Sequence, residues 1–389
     1  MKQVILALLA LNAAVAVADE PSYPRIANFY GAQIKRGMVA EKLEFLAKYQ
    51  LIVGVGDLGA TNELARLKAK NPSLIVLHYI SVRGQPANNP LMKESFWLLD
   101  PAGQRISPWP GRALPNQTLP EVNEVMVRMA REALEQMPQL DGIFLDSYYR
   151  HIAHMKKGRL DADRDGKADD AAKLNDAWTA GLLRVARGIR ALRPNLIVMA
   201  NGGAPIDFAC EELNGVLFED QLTFLEEAGK GKRPQFKRSA DELLAAYQKW
   251  ESVPHRPHVT ALVDGGGDIA NPWEWEKLSW KDKTALVEKA RHNEPRMRFN
   301  LCFALMGNGY AAFDYHTTSR GQHWWFAEWD TKLGRPRGPM QKRAGYWLRE
   351  FDGATVFVNP FKETATVKEG GGFTLAPFDG KLLRRNAND

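Results

Sequence analysis

The feature that most constrains the fold is a repeated alternation of short apolar strands with amphipathic segments. Eight strand candidates lie at residues 25–31, 51–58, 73–82, 141–149, 196–202, 215–220, 257–264 and 309–315. Helical apolar spacing between them is the pattern of βαβ units that build a parallel sheet. Eight units within roughly 300 residues match the size of a (β/α)8 TIM barrel with insertions. We therefore predict an α/β barrel. A doubly wound sheet is less favoured, because no G-x-G-x-x-G motif follows the first strand.

Both ends of the chain depart from this repeat. Residues 1–18 combine Lys2 with a long apolar run and a final A-V-A, which predicts a signal peptide and an exported protein, periplasmic or secreted. That run is shorter than the ~20 residues of a membrane-spanning helix, and no later run is apolar enough, so we expect no membrane span. From about residue 346, period-two patterns between D-G, N-P and G-G-G turns predict a small C-terminal antiparallel β appendage. The barrel domain is then expected to cover residues 19–345 and the appendage residues 346–389.

Two connections between the predicted strands stand out by their length. Residues 83–118 are polar and rich in proline and glycine, and a loop this long inside a compact domain is usually a functional insertion. Between the last two strands, helical spacing predicts one long helix from Trp280 to about Met306.

Composition limits the partners that the chain could bind. With 389 residues and 45% hydrophobic content, it can bury a large core. The formal net charge of +6 is modest and spread along the chain, which favours a merely soluble surface over a polyanion partner. No known nucleic-acid-binding motif appears, so no nucleic acid partner is expected. Export permits a disulfide between Cys210 and Cys302. The apolar surroundings of Cys302 are typical of a free buried thiol, and both alternatives stay open.

The fourth strand candidate carries the strongest indication of function. It reads D-G-I-F-L-D-S-Y-Y, with an apolar run that ends at Asp146. A strand that is apolar on both faces belongs in a covered parallel sheet, and barrel enzymes place catalytic groups at the C-terminal ends of such strands. Glu219 ends the sixth candidate, and two carboxylates flanking one bond are what glycoside hydrolysis needs. Asp220 is an alternative to Glu219, because successive strand residues face opposite sides and only one of the two should enter the barrel mouth.

Further candidates for substrate binding lie at or near the same ends of the predicted strands. They are Tyr30, His78, Tyr148, Tyr149, Asn201, Asp220, Asp264 and Asp314. Tyr148 and Tyr149 are the preferred sugar-binding aromatic residues because they adjoin Asp146, and the C–H faces of sugars pack well against such rings. Most other aromatic residues are expected to anchor loops on the barrel.

A metal site is predicted in the acidic segment that follows the fourth strand. D-A-D-R-D-G-K-A-D-D matches the first nine positions of a calcium loop, with ligands expected from Asp161, Asp163, Asp165, Lys167 and Asp169. Position 12 of the loop, where a bidentate Glu is usual, is Ala172, so a solvated acidic loop is the alternative. The Ca²⁺ would be structural, and no cofactor is expected for catalysis. A catalytic metal is less favoured because the first strand has no H-x-H pair; surface or loop positions are expected for His151, His154, His255 and His258.

Several of these segments together resemble a known family. They are D-G-I-F-L-D-S-Y-Y, the acidic loop, G-N-G-Y-A-A-F-D-Y with H-W-W-F-A-E-W-D, and F-D-G-A-T-V-F-V-N-P. In these the chain resembles the glycoside hydrolase-like family fifteen, a group of exported bacterial (β/α)8 proteins, over nearly all of its length after residue 18. The resemblance implies a retaining barrel glycosidase with the strand-four acid, Asp146, as nucleophile and the strand-six acid, Glu219, as proton donor.

Three functions are therefore compared. The leading hypothesis is an exported glycoside hydrolase that cleaves a polysaccharide or oligosaccharide with this carboxylate pair. The second is a carbohydrate-binding barrel without catalysis, which a wide separation of the two carboxylates would favour. The third, and least favoured, is a metal-dependent hydrolase, which would need the histidines to converge.

Overall fold

The centre of the molecule is an eight-stranded parallel barrel, as predicted. The structure is a computed structural model that describes residues 22–31, 33–202, 206–227, 238–266, 272–315 and 320–385. Residues 1–18, the predicted signal peptide, lie outside the described residues. The barrel strands are β1 (Ala27–Phe29), β2 (Leu51–Val53), β3 (Ile75–Ser81), β4 (Gly142–Asp146), β5 (Ile197–Ala200), β6 (Gly215–Glu219), β7 (Ala261–Gly265) and β8 (Tyr310–Asp314). They are hydrogen-bonded in sequence order, and a parallel bridge from Ile26 to Ala311 links the first strand to the last.

The strands sort their side chains into a lumen and an outer layer. Phe144 belongs to a buried cluster inside the barrel, whereas Ile143 and Leu145 pack in the larger cluster beneath the helices. This alternation follows from the two-residue period of a strand, and it directs Asp146 to the lumen side of the barrel mouth. Gly142 starts β4 because a Cβ there would come within 1.9 Å of the carbonyl oxygen of Ile197 on β5. The close approach of β4 and β5 therefore depends on glycine.

Helices cover the outside of the barrel. They are α1 (Ala40–Leu46), α2 (Thr61–Lys70), α3 (Pro120–Gln136), α4 (Ala171–Arg190), α5 (Gln221–Glu227), α6 (Ala240–Lys249), α7 (Pro272–Lys277), α8 (Trp280–Arg291) and α9 (Glu294–Ala304). The prediction of one helix from Trp280 to Met306 is wrong, because α8 and α9 are separated at His292 and Asn293. Asn293 has a ψ of 63°, and Pro295 lies in the first turn of α9, where its missing N–H costs least. Within the described ranges, no helix is long and apolar enough to cross a membrane.

The long segment after β3 has its own secondary structure. It contains a two-stranded pair, Gln85–Pro86 with Arg112–Ala113, and a short 3-10 helix at Glu94–Phe96. The ring of Trp109 lies so close to Gly84 that a Cβ there would be 2.2 Å from it. The predicted loop is therefore an ordered insertion anchored by its own aromatic residue.

Antiparallel strands end the described chain, as the sequence predicts. One sheet contains β9 (Gln341–Arg343), β10 (Tyr346–Glu350), β11 (Ala354–Asn359) and β14 (Asp379–Arg384), and β12 (Ala365–Val367) pairs with β13 (Phe373–Leu375). This sheet begins at Gln341, a few residues before the boundary expected at residue 345. It packs on α9, where Cys302 fills the space that a side chain at Gly380 would need. Cys210 and Cys302 are both free thiols.

Candidate active site

Three neighbouring strands bring a carboxylate pair together at the C-terminal end of the barrel. Asp146 ends β4, Asn201 follows β5 and Glu219 ends β6. The side-chain amide nitrogen of Asn201 donates to Oδ1 of Asp146 at 3.1 Å and to Oε2 of Glu219 at 2.9 Å. Since both oxygens contact one nitrogen, they are at most about 6 Å apart. Asp146, Asn201 and Glu219 were all predicted at the barrel mouth from the sequence, and the side chain of Asn201 bridges the two carboxylates.

Arg320 contacts three carboxylates, one of which is Glu219 of this pair. Its side chain is only 3% exposed, and its nitrogens contact Glu219 at 2.9 Å, Asp220 at 2.7 Å and Asp314 at 2.6 Å. Asp220 has a φ of +52°, a left-handed conformation at the point where the chain leaves β6. The sequence did not decide whether Glu219 or Asp220 enters the barrel mouth. Glu219 accepts the hydrogen bond from Asn201 and so lies next to Asp146, whereas Asp220 is buried against the guanidinium of Arg320. Burial raises the pKa of Asp314 to about 7, although Arg320 opposes the rise.

Asp146 is partly buried and accepts hydrogen bonds from several donors. The hydroxyl group of Tyr79 donates to its Oδ2 at 2.8 Å, and the Ser147 hydroxyl lies 3.3 Å from the same oxygen. Burial raises the pKa of Asp146 to about 6, and the negative charge of Glu219 adds to the rise. The ring of Tyr30 packs edge-on against Tyr79, with centroids 5.5 Å apart, and lines the same end of the lumen. A carboxyl group with this environment is suited to exchange a proton near neutral pH.

The two tyrosines after Asp146 have different locations. Tyr149 is half-buried at the mouth, where the guanidinium of Arg83 lies 5.1 Å from its ring centroid. Tyr148 is fully buried, stacks on Phe208 and donates its hydroxyl hydrogen to the carbonyl oxygen of Leu182. The prediction that Tyr148 contacts substrate is therefore wrong. Ser147 has a φ of +60°, and this left-handed residue turns the chain so that Tyr148 enters the outer core.

Two other predicted substrate contacts point away from the barrel mouth. His78 lies on the outer face of β3, with a buried Nδ1, because Leu77 and Tyr79 take the lumen side. Burial lowers the pKa of His78 to about 4. Asp264 is also directed outward, where it forms a buried ion pair with Arg296 of α9 at 2.8 Å and accepts from Thr223 of α5. Both predictions are wrong, and Asp264 instead fastens helices to the barrel.

Three residues of the site were not predicted from the sequence. If Leu77 is assigned to the lumen, the two-residue alternation along β3 places Tyr79 in the lumen and His78 outside it. Arg83 lies shortly after the C-terminal end of β3, where barrel enzymes often place site residues. Arg320 lies in the segment after β8, and no local pattern marks it as a partner of three carboxylates.

Acidic side chains also converge in the predicted calcium loop. Carboxylate oxygens of Asp161, Asp163 and Asp169 lie within 4.8 Å of one another, and among the described residues this is the group of His, Cys, Asp or Glu that could hold a metal ion. Asp165 and Lys167, also predicted as ligands, are not part of this group. The carboxylate of Asp165 instead accepts from the backbone N–H of Lys167 at 2.8 Å. The oxygen-rich donor set suits Ca²⁺, although it supplies fewer side chains than predicted.

The histidines do not form a metal site in the described part of the chain. His255 lies 3.0 Å from the carbonyl oxygen of Glu211, and His258 contacts the Arg256 side chain and the carbonyl oxygen of Val253. His151 and His154 are exposed on the segment after β4. This arrangement gives the metal-dependent hydrolase no set of ligands among the described residues.

Comparison with known proteins agrees with this architecture. The solved structure of Eubacterium rectale Amy13B matches with a TM-score of 0.53 at 8% identity, covering 94% of this chain and 97% of that chain. An Anoxybacillus alpha-amylase matches with a TM-score of 0.50 at 10% identity, covering 93% of this chain and 98% of that chain. At such low identity these similarities concern the fold alone. No curated protein matches in sequence. The profile described as hypothetical glycosyl hydrolase family 15 matches residues 68–355, well over half of the chain, and the protein belongs to that family.

Proposed function

We propose that this protein cleaves O-glycosidic bonds of a polysaccharide or oligosaccharide with Asp146 and Glu219 as its catalytic pair. The observation that carries the proposal is the shared contact of both carboxylates with the amide group of Asn201. Retaining glycosidases have carboxyl groups about 5–5.5 Å apart, whereas inverting enzymes need about 6.5–9.5 Å to admit a water molecule. A separation of at most about 6 Å supports the retaining mechanism.

The retaining reaction assigns two roles to the pair. One carboxyl group protonates the leaving oxygen while the other attacks the anomeric carbon, and water then hydrolyses the covalent intermediate. The family resemblance implies that Asp146 attacks and Glu219 donates. The charges around the substrate-free pair favour the reverse, because Arg320 compensates the charge of Glu219 while burial raises the pKa of Asp146 to about 6. Identifying the residue that carries the covalent intermediate decides between these assignments.

The short distance between the two carboxylates favours a hydrolase over a barrel that binds carbohydrate without cleaving it. A binding protein has no reason to hold two acids within about 6 Å of each other and to raise the pKa of one of them. Half-buried Tyr149 and Trp109 at the same end of the barrel supply rings on which a sugar could pack. The relatives of similar fold include an alpha-amylase, which supports a glycan as the substrate class.

Two further properties belong to this proposal. We infer export to the periplasm or the medium from the positively charged start, apolar run and A-V-A end of residues 1–18. We also infer a structural Ca²⁺ held by Asp161, Asp163 and Asp169, supported by the calcium-loop spacing and by the convergence of their oxygens. The ion would order the segment between β4 and α4, which follows Asp146 directly.

Hydrolysis assays with paired variants test the function. Purified protein is incubated with a panel of neutral and acidic plant and bacterial glycans, and released reducing ends are measured. Asp146→Asn and Glu219→Gln should each lower the rate by roughly a thousandfold or more on any glycan that the natural protein cleaves. Glu124→Gln, an exposed change on α3, is the matched control. Unchanged hydrolysis in both site variants would refute the assignment.

A further inference from the structure

Arg83 is a half-buried cation at the barrel mouth, and the described residues supply no ion-pair partner for it. The N–H of Val82 donates to the carbonyl oxygen of Asp146 at 3.0 Å, so Arg83 lies beside the end of β4. Its guanidinium lies over Tyr149, and among the described residues the hydrogen-bond acceptor of Nη2 is the sulfur atom of Met155, a weak acceptor, at 3.2 Å. Nε is buried without a hydrogen-bond partner, and no described carboxylate forms an ion pair with this side chain. Burying such a group is costly unless something pairs with it.

The segment that follows Tyr149 extends this positive surface. Residues 150–159 read R-H-I-A-H-M-K-K-G-R, which contains four lysines or arginines, two histidines and no acidic residue. All six of these side chains are exposed, and in the described part of the chain none of the four cations forms an ion pair. Although its side chain is largely exposed, partial desolvation of the His154 ring and then the charge of Arg83 lower the pKa of His154, which indicates that the two groups are neighbours. This basic segment contacts Arg83 through Met155 and directly precedes the acidic residues of the predicted calcium loop.

We propose that the sugar bound beside Asp146 carries a carboxylate, so that the substrate is a uronic acid-containing glycan and Arg83 is the residue that binds its carboxylate. This inference rests on the proposed function and narrows its substrate class. The guanidinium edge formed by Nη1 and Nη2 matches the planar geometry of a carboxylate, and the pairing would satisfy the desolvated cation. Residues 150–159 would attract further acidic units of the chain. Repulsion from the site's own acids is limited, because Arg320 contacts three of them: Glu219, Asp220 and Asp314.

Binding measurements on an inactive background test this inference. In Asp146→Asn protein, isothermal titration compares oligogalacturonate, oligomannuronate and glucuronoxylan oligosaccharides with the same oligosaccharides after chemical reduction of their carboxyl groups. At least one acidic ligand should bind roughly tenfold or more tightly than its reduced counterpart. Adding Arg83→Gln should remove most of that preference, and Arg83→Lys should restore part of it. Adding Arg66→Gln, an exposed change on α2, should leave the preference intact.

The outcomes separate this inference from the proposed function. Equal binding of acidic and reduced ligands, or a preference that survives Arg83→Gln in folded protein, would overturn the inference. Cleavage of neutral glycans alone, lost in Asp146→Asn and Glu219→Gln, would uphold the hydrolase and overturn the acidic substrate. An Arg83-dependent preference for uronates without cleavage of any glycan would support the inference and contradict the proposed function.

Discussion

Replacing Asp146 by Asn should change the stability of the protein in a pH-dependent way. The folded-state pKa of Asp146 is raised to about 6 from a usual value of 3.8, by burial first and by Glu219 second. Because the folded protein holds the proton more tightly than the unfolded chain, this group's contribution to stability is present at low pH and is lost as the pH rises through about 6. Integrating the linkage relation gives a loss of about 2 kcal/mol between about pH 4.5 and about pH 8.

The side-chain amide of the Asp146→Asn variant cannot ionise, so the variant should escape that loss. Relative to the natural protein, Asp146→Asn should therefore gain about 2 kcal/mol of unfolding free energy on going from about pH 4.5 to about pH 8. The amide oxygen offers fewer acceptor sites to Tyr79 and Asn201, which shifts the variant's stability at both pH values. The difference between the two pH values isolates the carboxyl group.

Urea denaturation followed by tryptophan fluorescence at the two pH values measures this difference. Glu124→Gln, which removes an exposed carboxyl group on α3, is the control and should show almost no pH-dependent change. If the unfolding free energy of Asp146→Asn relative to the natural protein were the same at both pH values, burial and Glu219 could not be disfavouring the charged form of Asp146.

Three other perturbations follow from the same contacts. Arg320→Met removes the cation shared by Glu219, Asp220 and Asp314 and should cost about 3–5 kcal/mol in urea denaturation, because buried carboxylates lose their partner; an unaltered midpoint would contradict this. Tyr79→Phe removes the hydroxyl group that stabilises ionised Asp146, so the pKa of Asp146 should rise by about one unit in the pH–rate profile, and an unshifted profile would count against the contact. Adding Ca²⁺ to chelator-treated protein should raise Tm, and Asp161→Asn with Asp163→Asn should abolish the increase; an equal Tm with and without Ca²⁺ in the natural protein would exclude the ion.

The barrel could be predicted because it repeats. Eight apolar strands with intervening amphipathic segments leave few alternatives, and the strand end at Asp146 could be placed at the barrel mouth. The two-residue period says only that one of Glu219 and Asp220 faces the lumen, and the structure shows that it is Glu219, on the same side as Leu217. Strand ends were less predictable, since left-handed residues there redirect the side chains that follow. Ser147 and Asp220 both have positive φ. Aspartate is enriched in that conformation, but the preference is too weak to predict it at a single position, and serine has no such preference.

Contacts between distant segments account for the remaining errors. A polar residue towards the C-terminal end of β3 predicts His78 as a site residue, but the alternation in β3 turns His78 outward and Tyr79 towards the lumen. Asp264 has the strand-end position of a site residue, but it forms an ion pair with Arg296 on α9, which is distant in sequence. Arg320 joins Glu219 from a segment 101 positions away, and such pairings depend on how the barrel closes rather than on local pattern.

Trapping the covalent intermediate would show which carboxylate attacks the anomeric carbon. The natural protein is incubated with the 2-deoxy-2-fluoro glycosyl fluoride of the sugar that the glycan panel identifies, and intact mass and peptide mass spectrometry locate the adduct. The proposal predicts one fluoroglycosyl group per chain, attached to Asp146 or to Glu219, and its absence from the variant of the labelled residue. Cleavage without any adduct and with inversion at the anomeric carbon, or an adduct on another residue, would contradict the account.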